Sequence, residues 1–248
     1  MSNGNWIVPD WPAPACVRAL STTRLGGVSP APWDSLNLGT HVQDDPARVL
    51  ANRAILRAQL PADPVWLNQV HGTTVVDAAV VSGIPDADAA IARGSGAVCV
   101  VMTADCLPVL LCDRAGTVVG AAHAGWRGLH GGVIEATLAA MGVAPHEVLA
   151  WLGPAIGPAA FEVGDEVRAA FVADDEAAAS AFLPGAAPDK WLADLYRLAC
   201  QRLARAGVTR VSGGGLCTVA DRRRFFSYRR DGLTGRMASL VWLAAPDA

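Results

Sequence analysis

Five histidines (His41, His71, His123, His130 and His146) and six cysteines are the chain's whole stock of soft and imidazole ligands. His71 and His123 stand apart from the other three. Each sits between apolar residues and a glycine, in Asn68-Gln69-Val70-His71-Gly72 and Ala121-Ala122-His123-Ala124-Gly125. A lone histidine at a strand end is more often a satisfied core residue than a ligand, and these positions fit no short fixed ligand spacing. A thiol brought opposite one of them changes the balance. Two imidazoles and a thiolate make a three-ligand zinc site with an open fourth position, the arrangement of catalytic rather than structural zinc. The same cysteine and histidine without metal would be a nucleophile and its base.

The remaining groups each carry two readings. Asp105, directly before Cys106, can orient a ligand or act as general base, or simply turn the chain into a strand. Arg127 is flanked by Gly125 and Gly128, which lets backbone approach a ligand, so its guanidinium can clamp phosphate or carboxylate or lie on the surface. Arg24 in Thr22-Thr23-Arg24-Leu25-Gly26-Gly27 offers the same choice. His146 in Ala144-Pro145-His146-Glu147 reads as solvated, His130 as facing either way near a helix start, and His41 as a capping or packing residue of a polar turn. The run from Arg222 to Arg230 alternates base and aromatic as nucleic-acid surfaces do. Asp221 and Asp231 at its ends favour a folded strand with a polar rim.

These side chains need elements to hold them. Short apolar runs at Ala97 to Met102, Leu107 to Cys112, Thr117 to Ala122 and Val148 to Leu152 are too short for stable helices and are bounded by turn residues, so they predict buried strands. Asp113-Arg114-Ala115-Gly116 predicts a hairpin tip. With Arg114 and Ala115 at the turn, opposed residue numbers sum to 229, and Cys106 faces His123 on one side of the ladder. A bulge or altered loop would change that register. Asp45-Pro46, ahead of Val49, Leu50, Leu56 and Leu60, marks a helix start. Helices are also predicted at Gly132 to Met141 and at Trp191 to Ala206, the latter with Leu192, Leu195, Leu198, Ala199 and Leu203 on one stripe.

Composition bounds the classes. The chain has 248 residues, 52% hydrophobic and 17% charged, with a formal net charge of -3. That balance argues against nucleic acid or a polybasic membrane surface as main partner. No apolar run approaches the roughly 18 to 20 residues of a membrane span, and Met1 to Asp10 shows neither the basic nor the apolar region of a secretory leader. A cytoplasmic protein is expected. The six cysteines are scattered through a chain too large to be a disulfide miniprotein and are expected to be mostly buried free thiols. No repeat or long linker divides the chain, so residues 1–248 are read as one mixed α/β domain.

Five segments then become recognisable together. Asn68-Gln69-Val70-His71-Gly72, Ala104-Asp105-Cys106-Leu107-Pro108, His123-Ala124-Gly125-Trp126-Arg127-Gly128, Gly153-Pro154-Ala155-Ile156-Gly157 and Phe226-Ser227-Tyr228-Arg229-Arg230-Asp231 resemble, in order, the YfiH family, also called the laccase-domain or multicopper polyphenol oxidase family. The resemblance implies a single-domain four-layer α/β/β/α sandwich, similar to the catalytic domain of cytotoxic necrotising factor. It implies zinc on His71, Cys106 and His123. Asp105 and Cys106 are the expected catalytic residues, and Arg24, Gln69 and Arg127 the expected substrate contacts. Where many relatives carry cysteine and tyrosine after the Gly-Pro-Ala-Ile-Gly segment, this chain has Ala159, Ala160 and Phe161.

The family's described activities demand different chemistry. Purine nucleoside phosphorylase with adenosine deaminase activity, acting on adenosine, inosine, guanosine and methylthioadenosine, is the expected function, with nucleosides and phosphate as partners of a monomer. Deamination suits zinc, which lowers the pKa of its water to about 7. Phosphorolysis instead needs phosphate at the anomeric carbon, with Arg24 or Arg127 as anion partner. The alternative is a cysteine-type amidase that edits peptidoglycan precursors, and a non-enzymatic zinc protein is a third reading. A copper polyphenol oxidase is disfavoured, because a blue-copper site plus a trinuclear cluster takes on the order of ten histidines; this chain has five.

Overall fold

In the computed structural model, which describes residues 5–245, two sheets lie face to face with helices outside each. The reading of Met1 to Asp10 as lacking a leader therefore falls partly outside the described residues. One sheet has the order β1 (Val17–Ser21), β13 (Met237–Leu243), β5 (Val98–Thr103) and β2 (Pro64–Val65). The other has six strands: β12 (Arg210–Gly213), β8 (Val148–Leu152), β6 (Leu107–Asp113), β7 (Val118–Ala124), β4 (Ala89–Arg93) and β3 (Val75–Asp77). A small third sheet joins β10 (Phe182–Pro184), β11 (Lys190–Ala193) and β9 (Glu162–Gly164) beside the second.

The apolar runs are continuous because each strand is covered on both faces. On β5, Val98, Val100 and Met102 pack outward with Leu56 of helix α1 (Pro46–Arg57), while Cys99 and Val101 face the second sheet. On β6, Leu110 and Cys112 meet those residues from the other side, and Leu107, Val109 and Leu111 face the outer helices. Those helices are α2 (Trp126–Gly131), α3 (Val133–Met141), α4 (Asp165–Asp174) and α5 (Leu195–Arg205). Ile134, Leu138, Phe171, Leu198 and Leu203 supply their apolar stripes. The order is helix, sheet, sheet, helix, which is the expected four-layer arrangement. No helix among the described residues is long and apolar enough to cross a membrane.

Local chemistry explains most element ends. Asp45 caps α1 by accepting a hydrogen bond from Ala47 N at 2.9 Å, with Pro46 in the first turn. That helix stops at Arg57, so Leu60 packs from beyond it, and Leu50 faces solvent. Three expectations need correction. Trp191 to Ala206 is not one helix: Lys190–Ala193 is strand β11, and Asp194 caps α5 through Arg197 N. Trp191 and Leu192 are ladder residues opposite Val163 and Glu162, so the stripe drawn through Leu192 combined two elements. The run from Arg222 to Arg230 is not a strand. It forms turns followed by the short helix α6 (Tyr228–Asp231), capped by Ser227 accepting from Arg230 N.

The third correction concerns the hairpin. Its loop has four residues, Arg114 to Thr117, because the Asp113 carboxylate accepts from Thr117 N and Thr117 Oγ1 and holds Thr117 in the loop, while also accepting from Val118 N at the start of β7. Pro108 consequently opposes His123, and Leu107 opposes Ala124. Cys106 lies two residues back along the same row. A slip of two residues preserves the face where a slip of one would reverse it, so Cys106 and His123 still share a side.

Candidate metal centre

The inner face of the six-stranded sheet is apolar at its middle and changes character at one end. Along β6 the inner row runs Cys112, Leu110, Pro108 and then Cys106; along β7 it runs Val119, Ala121 and then His123. The rows that fill the space between the sheets thus deliver a thiol and an imidazole to its mouth. His71 joins them from the loop between β2 and β3. One ligand atom from each of His71, Cys106 and His123 falls within 4.8 Å of the others. The two rings meet edge to face with centroids 4.8 Å apart, and Cys106 Sγ lies 3.7 Å from His71 Nε2.

Asp88 organises this convergence. It precedes β4 and, by continuation of the β4 to β7 register, lies opposite His123. Its side chain is 0% exposed. Oδ1 accepts from His123 Nδ1 at 2.8 Å and from His71 N at 2.9 Å, while Oδ2 accepts from Gly72 N at 2.7 Å and Val70 N at 3.1 Å. Three successive amides wrap one carboxylate, a nest that places His71 at φ 60°. That left-handed conformation costs about 1 kcal/mol for a residue with a side chain, and the three amide bonds offset it. Burial alone would push the Asp88 carboxyl up. The His123 ring and the Gly72 and Val70 amides outweigh it and hold the group below the usual carboxylate range.

The thiol differs from its neighbours in the core. Burial raises Cys106, but the His123 and His71 imidazoles dominate and bring it down to about 6. Burial likewise lowers His123, and the Cys106 and Asp88 charges reverse this to about 9. The two shifts have opposite sign and share one interaction, and both favour a thiolate paired with an imidazolium. Burial pushes Cys112 up to about 12, and Cys99 upward as well. All six cysteines are free, but only Cys99 and Cys112 are fully buried; Cys200 is exposed and Cys16 and Cys217 are half-buried. The expectation of mostly buried thiols is corrected accordingly.

Gly125 lets the three ligands close. A Cβ there would lie 2.8 Å from His71 Cδ2 and 2.9 Å from Cys106 Sγ. Over the ligands opens a cavity of about 460 Å3, walled also by His41, Gln69, Met102, Arg127, Tyr228 and Arg236. Arg127 and Arg236 line it, and among the described residues no carboxylate does. Gln69 sits in its wall with its amide engaged on both sides by Met102, donating to the carbonyl at 2.8 Å and accepting from the amide at 2.7 Å. Arg127 is exposed at the rim, its guanidinium 4.5 Å from the Trp126 ring centroid.

Other predicted site residues lie elsewhere. Asp105 is buried behind Cys106 at φ 96°, accepting from Thr218 Oγ1 and Arg229 N, each at 2.6 Å. Both its oxygens are committed, and it does not line the cavity. Arg24 lies in a separate surface pocket, donating to the Asp34 carboxylate at 2.9 Å and stacked on Phe226 at 4.8 Å. His130 pairs with Asp174 at 3.2 Å in the outer helical layer, and His146 is exposed beside Glu147. Phe161, at the position where relatives differ, is buried in the outer core. His41, read only as a turn residue, lines the cavity. Asp88 and Arg236 escaped the sequence reading altogether. The signal for Asp88 was its place one residue before β4, directly across from His123.

The fold and site define a four-layer α/β/β/α protein with a cluster of two histidines and one cysteine that could hold a metal ion at the open end of its inter-sheet space. The family model described as multi-copper polyphenol oxidoreductase laccase matches residues 18–244, and the chain belongs to that family. A purine nucleoside phosphorylase of Pseudomonas aeruginosa is 61% identical over 238 residues, covering 96% of this chain and 98% of that one. The purine nucleoside phosphorylase YfiH of Escherichia coli is 56% identical over 243 residues, with 96% and 98% covered. A crystal structure of a Neisseria meningitidis protein superposes with a TM-score of 0.94 at 57% identity, over 97% of this chain and all 100% of that one. YlmD from Geobacillus stearothermophilus gives a TM-score of 0.85 at 28% identity, with 99% and 98% covered.

Proposed function

We propose that this chain is a purine nucleoside phosphorylase that cleaves the glycosidic bond of purine nucleosides with phosphate, at the cavity over His71, Cys106 and His123. The observation that carries the reading is the site itself: a three-ligand centre under a cation-lined cavity of about 460 Å3, in a chain whose nearly full-length relatives carry that activity in their names. A cavity of this size accommodates a small polar ligand. Its cationic lining suits phosphate.

Two imidazoles and a thiolate, one imidazole anchored by a carboxylate, match the donor set and the outer support of a catalytic zinc site. Zinc bound there would supply a Lewis acid and a water of lowered pKa, the chemistry of the accompanying adenosine deamination. The chain's own residues do the rest. Asp88 accepts from His123 Nδ1 and so orients the ring, with Nε2 as the atom that would be free to hold the ion, and Asp105 positions the turn that carries Cys106. Gln69 holds the cavity wall, Arg127 offers a guanidinium at the rim, and the exposed Tyr228 ring offers a face for a purine. Five histidines, of which only two join the cluster, leave no ligand set for the second centre of a multicopper oxidase. A cytoplasmic location belongs to the same reading.

The test is elemental analysis of the purified protein with product identification from a panel of nucleosides, with and without phosphate. Stoichiometric zinc and phosphate-dependent release of free base are expected. Zinc-loaded protein that releases no base from any purine nucleoside would refute the reading.

A further inference from the structure

Arg236 and Arg127 are the two arginines that line the cavity, and of the two only Arg236 is withdrawn from solvent, Arg127 being exposed at the rim. Arg236 begins the approach to β13 and lies half-buried in the cavity wall, yet no carboxylate among the described residues pairs with it. Its Nη1 donates to the carbonyls of Thr234 and Gly235, both at 3.1 Å, which fixes the guanidinium without neutralising it. Arg24 and Arg230, by contrast, are paired with Asp34 and Asp231. Burial lowers the Arg236 pKa although the Cys106 and Asp105 charges act against it, so neither offsets the desolvation in full, and a ligand anion in direct contact would relieve the rest.

The neighbouring chain is built to hold this arginine beside His41. Asn37 is fully buried, and its Oδ1 accepts from Arg236 N and from Gly39 N, both at 2.9 Å. One side chain thus ties the turn leading to His41 to the strand leading from Arg236. Asn37 is itself anchored on Asp44 at 3.0 Å, which Ser29 also reaches at 2.6 Å. Gly39 makes the approach possible, since a Cβ there would lie 2.8 Å from Arg236 Cγ. Burial, with the Arg236 and Arg53 charges, lowers the His41 pKa. This favours a neutral imidazole that still donates one N–H.

We propose that Arg236 and His41 form the phosphate subsite of the cavity, binding the attacking inorganic phosphate and, after transfer, the phosphate of the pentose 1-phosphate. The inference rests on the phosphorolytic reading. A phosphate oxygen held there contributes the electron pair of the new bond to the anomeric carbon. The glycosidic pair leaves with the purine nitrogen, which gains, through solvent, the proton that the hydrogen phosphate gives up on forming the ester. Arg24, in its separate pocket and paired with Asp34, is not part of this subsite.

Calorimetric titration of the full-length, metal-loaded protein with inorganic phosphate, in the absence of nucleoside, tests this. Arg236→Gln should weaken phosphate binding about 10- to 100-fold, the scale of a lost charge-assisted hydrogen bond. Arg236→Lys should fall between it and the parent, because an ammonium keeps the charge and loses the fork. His41→Ala should give a smaller loss of about 3- to 10-fold, and it leaves the Asn37 bonds in place if the arginine variants fail to fold. Arg114→Gln, in the exposed hairpin loop, should bind as the parent does. Parent protein that binds no phosphate, or folded variants that bind it undiminished, would overturn the subsite. Phosphate binding lost in Arg236→Gln but no base release by the parent would leave the subsite standing and refute phosphorolysis. Base release with an unchanged phosphate KM in both His41→Ala and Arg236→Gln would do the reverse.

Discussion

Asp88 faces His123 across the β4 to β7 ladder, and its carboxylate accepts the ring's Nδ1 proton at 2.8 Å while also capping the His71 amide at 2.9 Å. One buried charge therefore orients one ligand through its ring and another through its backbone. Asp88→Asn keeps the shape but removes the charge, and it must place an NH2 group where amide donors now point. Zinc affinity should fall about 10- to 100-fold, the usual cost of losing such a partner. Competition with a chromogenic chelator measures it. An unchanged affinity would remove Asp88 from the site's support.

The metal-free thiol should titrate with the sign its surroundings dictate. His123 and His71 hold Cys106 down at about 6 against burial. Alkylation of the apoprotein at Cys106 should stay fast at neutral pH and slow as pH falls through about 6. His123→Ala should move that midpoint upward, towards the ordinary thiol range. The stability linkage runs the same way. The depressed thiol contributes stability above its unfolded pKa of about 8.5, and that contribution is lost as pH falls through the folded value. His123, raised to about 9, contributes below its unfolded value and loses that contribution as pH rises through about 9. Chemical denaturation of apoprotein across this range should show both limbs in the parent, whereas His123→Ala should lose the upper limb and keep a weaker lower one, since His71 still faces the thiol.

Gly125→Ala tests the closeness of the ligands. The added methyl would sit within 3 Å of both His71 Cδ2 and Cys106 Sγ, so one ligand must move. Overpacking of this kind costs about 1 to 3 kcal/mol. The loss should appear as lower zinc stoichiometry and a lower Tm in the holoprotein. Much of the Tm difference should disappear in apoprotein, where His71 is free to swing away. An equal drop in both forms would place the strain in the backbone instead.

Strand β7, which carries His123, and β6, which starts directly after Cys106, were legible in the sequence because burial on both faces leaves an apolar run with turn residues at each end. Their facing was legible because a hairpin has a period of two. The register was displaced by two residues, since the Asp113 side chain holds Thr117 in the loop, a long-range consequence of one carboxylate that no periodicity records. Asp88 was illegible because β4 is mostly alanine, a residue without strand preference, and its neighbour β7 arrives from about 30 residues further along the chain. Trp191 and Leu192 were drawn into a helix because the α5 stripe extends back through them, although the Asp194 cap interrupts it. Arg236 has no motif of its own. Its position follows from Asn37, nearly 200 residues away, and only the folded chain brings the two together.

Removal of the metal separates the two enzymatic readings of the same thiol. In a metal-dependent phosphorylase, prolonged chelation should abolish phosphate-dependent base release, and stoichiometric zinc should restore it. A Cys106 and His123 dyad acting as nucleophile and base would instead gain reactivity, because chelation frees a thiolate already held at about 6. Cys106→Ser completes the test. Serine is a poor zinc ligand, so the variant should lose metal and base release together while its apoprotein stays folded by circular dichroism. Hydrolysis of muropeptide amides by chelated parent protein, lost in Cys106→Ser, would instead establish the amidase.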